Sequence, residues 1–346
     1  MNSSTLLVLN YEMDESSQVF SHQIDVVRGL AKVFNRVVVI TNKVGSGALP
    51  NNVEVYESSW TQGKRLRNSI RFLWKFCKIL RTTAPMTIFS HMTEVQSVIT
   101  SPITRFLGIR HVIWYAHKSK SSAMNINSLF VDRILTSTSG SCPYIGKKVQ
   151  IIGQAIDEKQ FFFEFHSLKT PIKLVHIGRF DPSKNIDSII RACDEVQVSG
   201  VKLSLTIVGA PSSSLHFAYA DSLKRNVGLM KTLNWINFQE PIARNQIPDF
   251  LHNFDIFVHA FEGSLDKSIV EATFSGLPVV TINKEYLRIF GSWSNSESPT
   301  LNDELLSVIA MHEHQLAKEI ERRHSIALSG HSMNRWLEKL VTALAH

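Results

Sequence analysis

KLVHIGRFDPSK, residues 173–184, combines an apolar run with a glycine and two spaced cations. The apolar run predicts a buried strand that ends at Gly178, and Arg179 and Lys184 stand near the start of the next helix. Cations at such a turn are suited to an anionic ligand, because the helix N-terminus adds its own exposed amides. The stretch therefore predicts a parallel α/β sheet with an anion-binding turn. A strand–glycine–helix turn is common in α/β proteins and does not indicate a function by itself. A functional interpretation therefore requires a wider set of residues.

Short apolar runs alternate with helical patterns along the whole sequence, which is typical of doubly wound parallel sheets. The predicted strands are 6–10, 36–41, 53–56, 87–91, 111–116, 133–139 and 149–153, and then 173–178, 203–209, 235–239, 255–260 and 277–282. In the second half, helices are predicted near 184–197, 215–233, 245–253 and 267–275. We expect an α/β protein with two Rossmann-like domains that face a central cleft, with ligands beyond the carboxyl ends of the strands.

Length and composition are those of a two-domain globular protein: 346 residues, 44% hydrophobic and 19% charged. No apolar run reaches the roughly 20 residues that span a bilayer, and the N-terminus lacks the order of a signal peptide. Three widely spaced cysteines, Cys77, Cys142 and Cys193, indicate neither a disulfide framework nor a metal site. These features predict a cytoplasmic protein.

The positive charge is concentrated in the first half. Residues 1–150 carry 18 Lys and Arg against 8 Asp and Glu, whereas the remainder carries 19 against 22. A basic half favours an anionic partner, which could be nucleic acid, an acidic membrane surface or a phosphorylated substrate. We expect no nucleic acid, because the charge is concentrated on one helix and no aromatic–basic recognition motif accompanies it.

Residues 64–81, KRLRNSIRFLWKFCKILR, have the pattern of a basic amphipathic helix with seven cations and no acid. One predicted face consists of Leu66, Ile70, Leu73, Cys77 and Leu80, a second of Lys64, Arg67, Arg71, Lys75 and Lys78, and Phe72, Phe76 and Ile79 flank them. Such a helix suits an anionic membrane surface or a lipid-diphosphate acceptor. Alternatively, its apolar face packs on the sheet and the cations are merely solvated.

A second informative stretch is GSLDKSIVEATFSGLPVV, residues 263–280, which places Glu271 in a helix that leads to a buried strand. With Arg179 and Lys184, it makes the chain resemble the GT-B-fold glycosyltransferases of family 4, retaining enzymes that use nucleotide sugars. The resemblance covers nearly the whole length and is strongest over 111–153 and 173–282. It implies that Arg179 and Lys184 hold the donor diphosphate and that Glu271 accepts hydrogen bonds from the ribose hydroxyls.

The chemistry agrees with these roles, because fixed cations stabilise the negative charge that grows on a leaving diphosphate. The sequence has no paired acidic motif of a metal-dependent sugar-nucleotide site. We therefore expect neither a metal nor a cofactor, and only the nucleotide sugar as co-substrate.

The sequence departs from the family's Glu-x(7)-Glu motif, because Gly263 stands where the first Glu is expected. Glu262 lies one residue out of register and would need a bulge to replace it. The segment resembles a variant in which Gly-Ser-Leu-Asp-Lys precedes the second Glu. In that variant, amides of Gly263, Ser264, Leu265 and Asp266 face the sugar and diphosphate, with polar contacts from Asp266 or Lys267. The alternative for Asp266 and Lys267 is a solvated pair of charges at a helix N-terminus.

His117 follows the predicted strand 111–116, and its family counterpart projects towards the transferred sugar. We expect it to orient the sugar and stabilise charge; the alternative is an ordinary packing or loop residue. No side-chain nucleophile is evident, in agreement with the front-face transfer usually proposed for retaining members. In the first strand-to-helix loop, Ser16 and Ser17 replace the family's glycines, so either these serines contact the diphosphate or the loop lies away from it.

The resemblance implies an acceptor-side domain over 1–165, a donor domain over 166–322, and a terminal helix in 323–346 that could pack on the first domain. It implies transfer of a hexose or N-acetylhexosamine from a UDP- or GDP-sugar to a glycan or lipid-linked oligosaccharide. The expected setting is bacterial surface polysaccharide synthesis, at the inner face of the cytoplasmic membrane. A catalytically silent nucleotide- or glycan-binding homologue and a two-Rossmann sugar-nucleotide epimerase are the alternatives. A nicotinamide dehydrogenase is not expected, since no G-x-G-x-x-G follows the first strand.

Overall fold

The computed structural model describes residues 4–17, 20–58, 60, 63–211, 213–229 and 234–345. The chain forms two compact units, of which the first comprises Met1–Ala155 with Asn334–His346 and the second comprises Ile156–Met333. The sequence placed these boundaries after residues 165 and 322. The first boundary lies earlier because Phe161 is buried in an apolar cluster of the second unit. The second lies later because Ile320 and Ala327, in the long helix before residue 333, are also buried in clusters of that unit.

The first unit contains a seven-stranded parallel sheet with the order β3-β2-β1-β4-β5-β6-β7. Its strands are β1 (Thr5–Met13), β2 (Arg36–Val44), β3 (Val53–Glu57), β4 (Thr87–His91), β5 (Arg110–Trp114), β6 (Arg133–Thr136) and β7 (Val149–Ile151). Its helices are α1 (His22–Ala31), α2 (Arg65–Thr83), α3 (Glu94–Phe106), α4 (Ser122–Phe130) and, at the end of the chain, α12 (Met333–Ala345). α12 belongs here because Trp336 is buried against this sheet, with its ring 5.4 Å from that of Trp114.

The second unit contains a five-stranded parallel sheet with the order β10-β9-β8-β11-β12. Its strands are β8 (Ile172–Ile177), β9 (Leu203–Val208), β10 (Ile236–Gln239), β11 (Ile256–His259) and β12 (Val279–Thr281). Its helices are α5 (Ile186–Val198), α6 (Phe217–Leu229), α7 (Ile247–Leu251), α8 (Lys267–Phe274), α9 (Lys284–Phe290), α10 (Leu301–Ala310) and α11 (Glu313–His331). The predicted class, two Rossmann-like doubly wound parallel sheets, is confirmed.

Every predicted strand is present, and the differences lie at the ends of elements. β1 continues to Met13, so the beginning of the predicted first loop is strand. α5 begins at Ile186 rather than near residue 184, because Pro182–Lys184 form a 3-10 turn and Asn185 has φ 50°. The predicted helix 215–233 is α6 as far as Leu229, and residues 230–233 lie outside the described residues. No helix among the described residues is long and apolar enough to cross a membrane.

The packing of α2 corrects the predicted face. Phe72, Phe76 and Ile79 are at most 4% exposed and pack in the sheet's apolar cluster, although the sequence placed them as flanking residues. These positions recur at i, i+4 and i+7, which is the spacing of one helix face. Leu66 and Ile70, assigned to the main apolar face, are instead 77% and 63% exposed. α2 therefore both packs on the sheet and presents apolar side chains to solvent.

Candidate functional site

The order of the second sheet brings two loops together at its carboxyl edge. β8 and β11 are parallel neighbours, with Leu174 opposite Ile256, and β9 lies on the other side of β8. Consecutive connections leave the sheet in opposite directions at this point, which opens a crevice at the strand ends. The turn after β8 contains Arg179 and Lys184, and the loop after β11 contains Gly263 to Asp266.

Lys184 is almost completely buried at this edge, with 8% of its surface exposed. Its ammonium group donates a hydrogen bond to Asp266 and lies 4.2 Å from the centre of the Phe261 ring. The turn is fixed on both sides, because Asp181 accepts a hydrogen bond of 2.9 Å from the Ser183 amide and the Asn185 side chain donates to the carbonyl of Ala260. A buried cation is thus held in one position.

Asp266 is the counterion of Lys184 rather than a solvated charge. It stands at the N-cap of α8, yet its side chain makes no capping hydrogen bond and 78% of it is buried. Burial raises the pKa of Asp266, but Lys184 and His259 outweigh it and hold the pKa well below its usual range. The alternative in which Asp266 is a solvated charge at a helix N-terminus is therefore wrong. Its carboxylate is ionised and paired with Lys184.

His259 connects Asp266 to the end of the neighbouring strand. Its Nε2 lies 3.3 Å from Asp266 Oδ2, and its Nδ1 lies 3.0 Å from the hydroxyl of Thr281. Burial lowers the pKa of His259 although Asp266 raises it, so the ring is neutral with one proton. The carboxylate fixes that proton on Nε2, and Nδ1 then accepts from Thr281, whose oxygen accepts from the Asn283 amide at 3.1 Å. These contacts lock the orientation of Asp266.

Gly263 leaves room for the Phe261 ring, because a Cβ at this position would lie 2.0 Å from the end of the ring and would displace it from the Lys184 ammonium. Asn283 pins the same loop by donating from its side-chain amide to the carbonyl of Phe261 at 2.8 Å. Leu265 is 2% exposed and packs in the core, so it offers only backbone groups to a ligand. Ser264 and Lys267 are half-buried at the two ends of this segment.

Glu271 is 3% exposed and forms a bidentate ion pair with Arg244, in which Nη1 donates to Oε2 at 2.8 Å and Nη2 donates to Oε1. The guanidinium also lies 5.2 Å from the centre of the Phe161 ring. An ionised carboxylate has about four acceptor positions, so two remain for another donor pair. Arg244 was not predicted from sequence. Its position between the carboxyl end of β10 and the start of α7 could have indicated a site residue.

The remaining predicted residues have different surroundings. Arg179 is exposed just after β8, and His117 is exposed in the first unit with its ring 5.3 Å from that of Tyr115. Glu262 is exposed and lines an 840 Å³ groove beside Lys284, a groove that none of Lys184, Asp266 and Glu271 lines.

The serines of the first loop also bond locally. The hydroxyl of Ser16 donates to Asp14 at 2.7 Å, and that of Ser17 donates to Glu12. The sequence left open whether these serines contact the diphosphate or the loop lies away from it, and in the structure both hydroxyls bond to carboxylates of the same segment.

One sequence family and several solved structures resemble this chain. The sequence family described as Glycosyl transferases group 1 matches residues 157–290, which include the turn after β8, the loop after β11 and α8. A search of curated proteins found none that matches the chain in sequence.

Solved structures match over nearly the whole chain. HepE of Anabaena, in complex with UDP and glucose, has a TM-score of 0.72 at 15% identity and covers 98% of this chain and 99% of its own. Sucrose-phosphate synthase of Thermosynechococcus elongatus has a TM-score of 0.75 at 12% identity, covering 98% of each chain. The lipopolysaccharide outer core galactosyltransferase WaaB has a TM-score of 0.67 at 10% identity, covering 99% of each chain. The chain therefore has the GT-B fold, and residues 157–290 of its second unit match the family described as Glycosyl transferases group 1.

Proposed function

We propose that the protein is a retaining, metal-independent glycosyltransferase of family 4. It transfers a hexose or N-acetylhexosamine from a UDP- or GDP-sugar to a glycan or lipid-linked oligosaccharide. The observation that carries the proposal is the buried ammonium of Lys184, held by Asp266 at the switch point of a sheet within the matched domain. A fixed cation at this position is suited to a nucleoside diphosphate, which is the leaving group of the reaction.

In the proposed mechanism, Lys184 binds the diphosphate together with Arg179, which is exposed and free to approach from solvent. Breaking the bond between the anomeric carbon and the diphosphate oxygen leaves negative charge on that oxygen, where both cations stabilise it. Asp266 and His259 position Lys184, so little reorganisation is needed as the charge develops. The acceptor hydroxyl attacks from the same face and gives its proton to the leaving phosphate.

The other residues are assigned to the two ends of the donor. Glu271 accepts hydrogen bonds from the ribose hydroxyls with the acceptor positions that Arg244 leaves open. Amides of the loop from Gly263 to Asp266 face the hexose, with Lys267 beside them. We assign to His117 the role of orienting the sugar and stabilising its charge, since it is exposed at the carboxyl end of β5.

The proposed setting is bacterial surface polysaccharide synthesis at the inner face of the cytoplasmic membrane. The bound UDP and glucose of HepE support a nucleotide-sugar donor, and the lipopolysaccharide outer core named for WaaB supports a surface glycan as acceptor. The test is incubation with a panel of UDP- and GDP-sugars, with and without bacterial lipid extract, while free UDP or GDP is measured. Release that increases with extract is expected.

A silent nucleotide-binding homologue is a second candidate, favoured by the missing first Glu and by the Arg244–Glu271 ion pair. It would bind a nucleoside diphosphate without releasing one from any donor. The same panel also distinguishes an epimerase, which would convert the sugar of the donor without any acceptor.

Donor turnover is expected to continue in excess EDTA. Lys184 and Arg179 supply the positive charge that a divalent ion would otherwise bring to the diphosphate. The rate should be measured at a temperature at which circular dichroism shows the EDTA-treated protein to be folded. Strict loss of activity, restored by magnesium or manganese, would contradict the assignment.

Membrane attachment is proposed for the outer side of α2. Leu66, Ile70 and Trp74 lie at i, i+4 and i+8 and are 63–77% exposed, so they form an apolar ridge along the helix. Arg67 and Lys78 lie beside this ridge, and the Lys78 ammonium is 5.5 Å from the centre of the Trp74 ring. An apolar ridge bordered by cations fits the interface of an anionic leaflet.

We expect the variant Arg71→Glu/Lys75→Glu/Lys78→Glu to be released from anionic liposomes. Each cation near an anionic surface contributes about 1 kcal/mol, an attraction that salt weakens. The matched control is Lys32→Glu/Lys120→Glu/Lys147→Glu, which changes the net charge equally at exposed sites away from α2. Cosedimentation at low salt measures both. If the α2 variant still sediments like the control, α2 is only a packed, solvated helix.

A further inference from the structure

A cluster of two histidines and a glutamate lies at the other edge of the second sheet. Glu164 and His166 belong to the segment that precedes β8, and His252 directly follows α7. His166 Nε2 lies 3.8 Å from Glu164 Oε1, and His252 Nδ1 lies 3.8 Å from Glu164 Oε2. The three candidate ligand atoms are all within 4.8 Å of one another.

The cluster brings these groups together without hydrogen bonds between them. Among the described residues, His166 Nε2 and both ring nitrogens of His252 are buried and have no hydrogen-bond partner. Buried polar atoms without partners are uncommon and costly, so an unpaired group of three nitrogens points to a further binding partner. The His252 side chain is only 11% exposed, and its ring stacks on that of Phe162 at 4.4 Å between centres.

The spacing fits one cation among three ligands. Zinc lies about 2.0–2.2 Å from nitrogen and oxygen ligands, which in a tetrahedral site are therefore about 3.4 Å apart. One ligand atom from each residue, all within 4.8 Å of one another, would have to move closer together to reach this value. Two imidazoles with one carboxylate favour Zn²⁺ over Mg²⁺ or Ca²⁺, which prefer oxygen ligands.

We propose that Glu164, His166 and His252 bind a Zn²⁺ ion, with water as the fourth ligand. Glu164 is half exposed, so one side of the site is open to solvent and a water molecule has access. The ligand segment is itself well held, because the Glu164 amide donates to the Ser275 carbonyl at 3.3 Å. Gly276, with φ 86°, leaves room for the Glu164 backbone, since a Cβ there would lie 2.5 Å from its carbonyl oxygen.

The ion would act as a clamp and would not touch the donor. Asp255, which follows His252 by three residues, accepts a hydrogen bond of 2.7 Å from the Lys173 amide at the start of β8. The cluster is thus near the amino ends of β8 and β11, whereas Lys184 and Asp266 follow their carboxyl ends. Zinc here would join the segment before β8 to the corner between α7 and β11. It leaves the expectation of metal-independent transfer unchanged.

The full chain, stripped with EDTA and dialysed, should bind one Zn²⁺ per molecule by calorimetry. At zinc concentrations near one hundred times Kd, we expect Tm to rise by about 5–10 °C. His252→Asn and His166→Asn should each weaken zinc binding at least about tenfold, on the scale of disturbed metal sites. His314→Asn, at an exposed position of α11, is the matched control and should bind zinc like the wild type.

The His166→Asn variant is expected to fold even if His252→Asn does not, because the His166 side chain is 37% exposed and that of His252 only 11%. Cobalt supplies an independent readout, since tetrahedral Co²⁺ absorbs visible light strongly and the variants should lose this absorption. The proposal is overturned if the wild type shows no saturable binding of one zinc. It is equally overturned if both variants match the His314→Asn control.

Discussion

Replacing Lys184 with methionine is expected to lower donor turnover by roughly 10²-fold or more, the scale of losing a fixed group that stabilises developing charge. Methionine keeps most of the apolar part of the side chain and removes the ammonium, which lies over the Phe261 ring. Turnover is measured with the donor that the sugar-nucleotide panel identifies, together with the free energy of unfolding in urea.

The ion pair complicates this variant, because Lys184→Met leaves the Asp266 carboxylate largely buried beside His259 alone. Removing one partner of a buried pair costs about 3–5 kcal/mol of stability, whereas removing both is often nearly neutral. The double variant Lys184→Met/Asp266→Asn should therefore recover stability but not turnover. If Lys184 had only a structural role, the double variant would recover both stability and turnover.

The variant Arg179→Ala tests the second cation without disturbing a buried ion pair, because Arg179 is exposed. It should lose turnover with almost no change in the free energy of unfolding, since surface substitutions usually change it by less than about 0.5 kcal/mol. Wild-type turnover in the variant Arg179→Ala/Lys184→Met would remove both residues from the proposed mechanism.

The sheets were predictable because their signal is local. Runs such as Leu174 to Ile177 and the strand near Val258 are apolar and β-branched, and each is bounded by turn residues within a few positions. Even the placement of Lys184 in the turn between β8 and α5 required only spacing along the chain.

The partners inside the site were not predictable, because they come from distant positions. Lys184 and Asp266 are separated by 82 residues, and Arg244 and Glu271 by 27. No periodicity links such pairs, so the sequence showed each charge as an isolated residue. His259 was not predicted as a site residue either, because it lies at the end of the apolar run of β11 and no pattern links it to Asp266.

The face of α2 was mispredicted for a different reason. The sequence offers more apolar residues than one face holds, and helical spacing alone does not show which stripe meets the sheet. Phe72 and Phe76 fill the space over the sheet, so Leu66 and Ile70 are left exposed. Tertiary packing decided between two amphipathic arrangements of similar quality.

Replacing Glu271 with glutamine is expected to weaken binding of the nucleoside diphosphate by about 1–3 kcal/mol, or roughly 5- to 150-fold. A carboxylate paired with Arg244 has two acceptor positions left for the ribose hydroxyls. Glutamine has one oxygen, and its NH₂ group would face either the guanidinium or the ribose. Calorimetry with the free nucleoside diphosphate measures the loss.

A ligand without the ribose hydroxyls separates recognition from stability, because breaking the pair with Arg244 also destabilises the protein. Wild-type protein should bind the 2′,3′-dideoxynucleoside diphosphate more weakly than the normal one, and Glu271→Gln should lose most of this difference. Glu262→Gln, at an exposed neighbouring position, is the control and should keep it. If Glu271→Gln distinguishes the two ligands as well as the wild type does, Glu271 serves only to hold Arg244. The ribose would then have to be bound by residues other than Glu271.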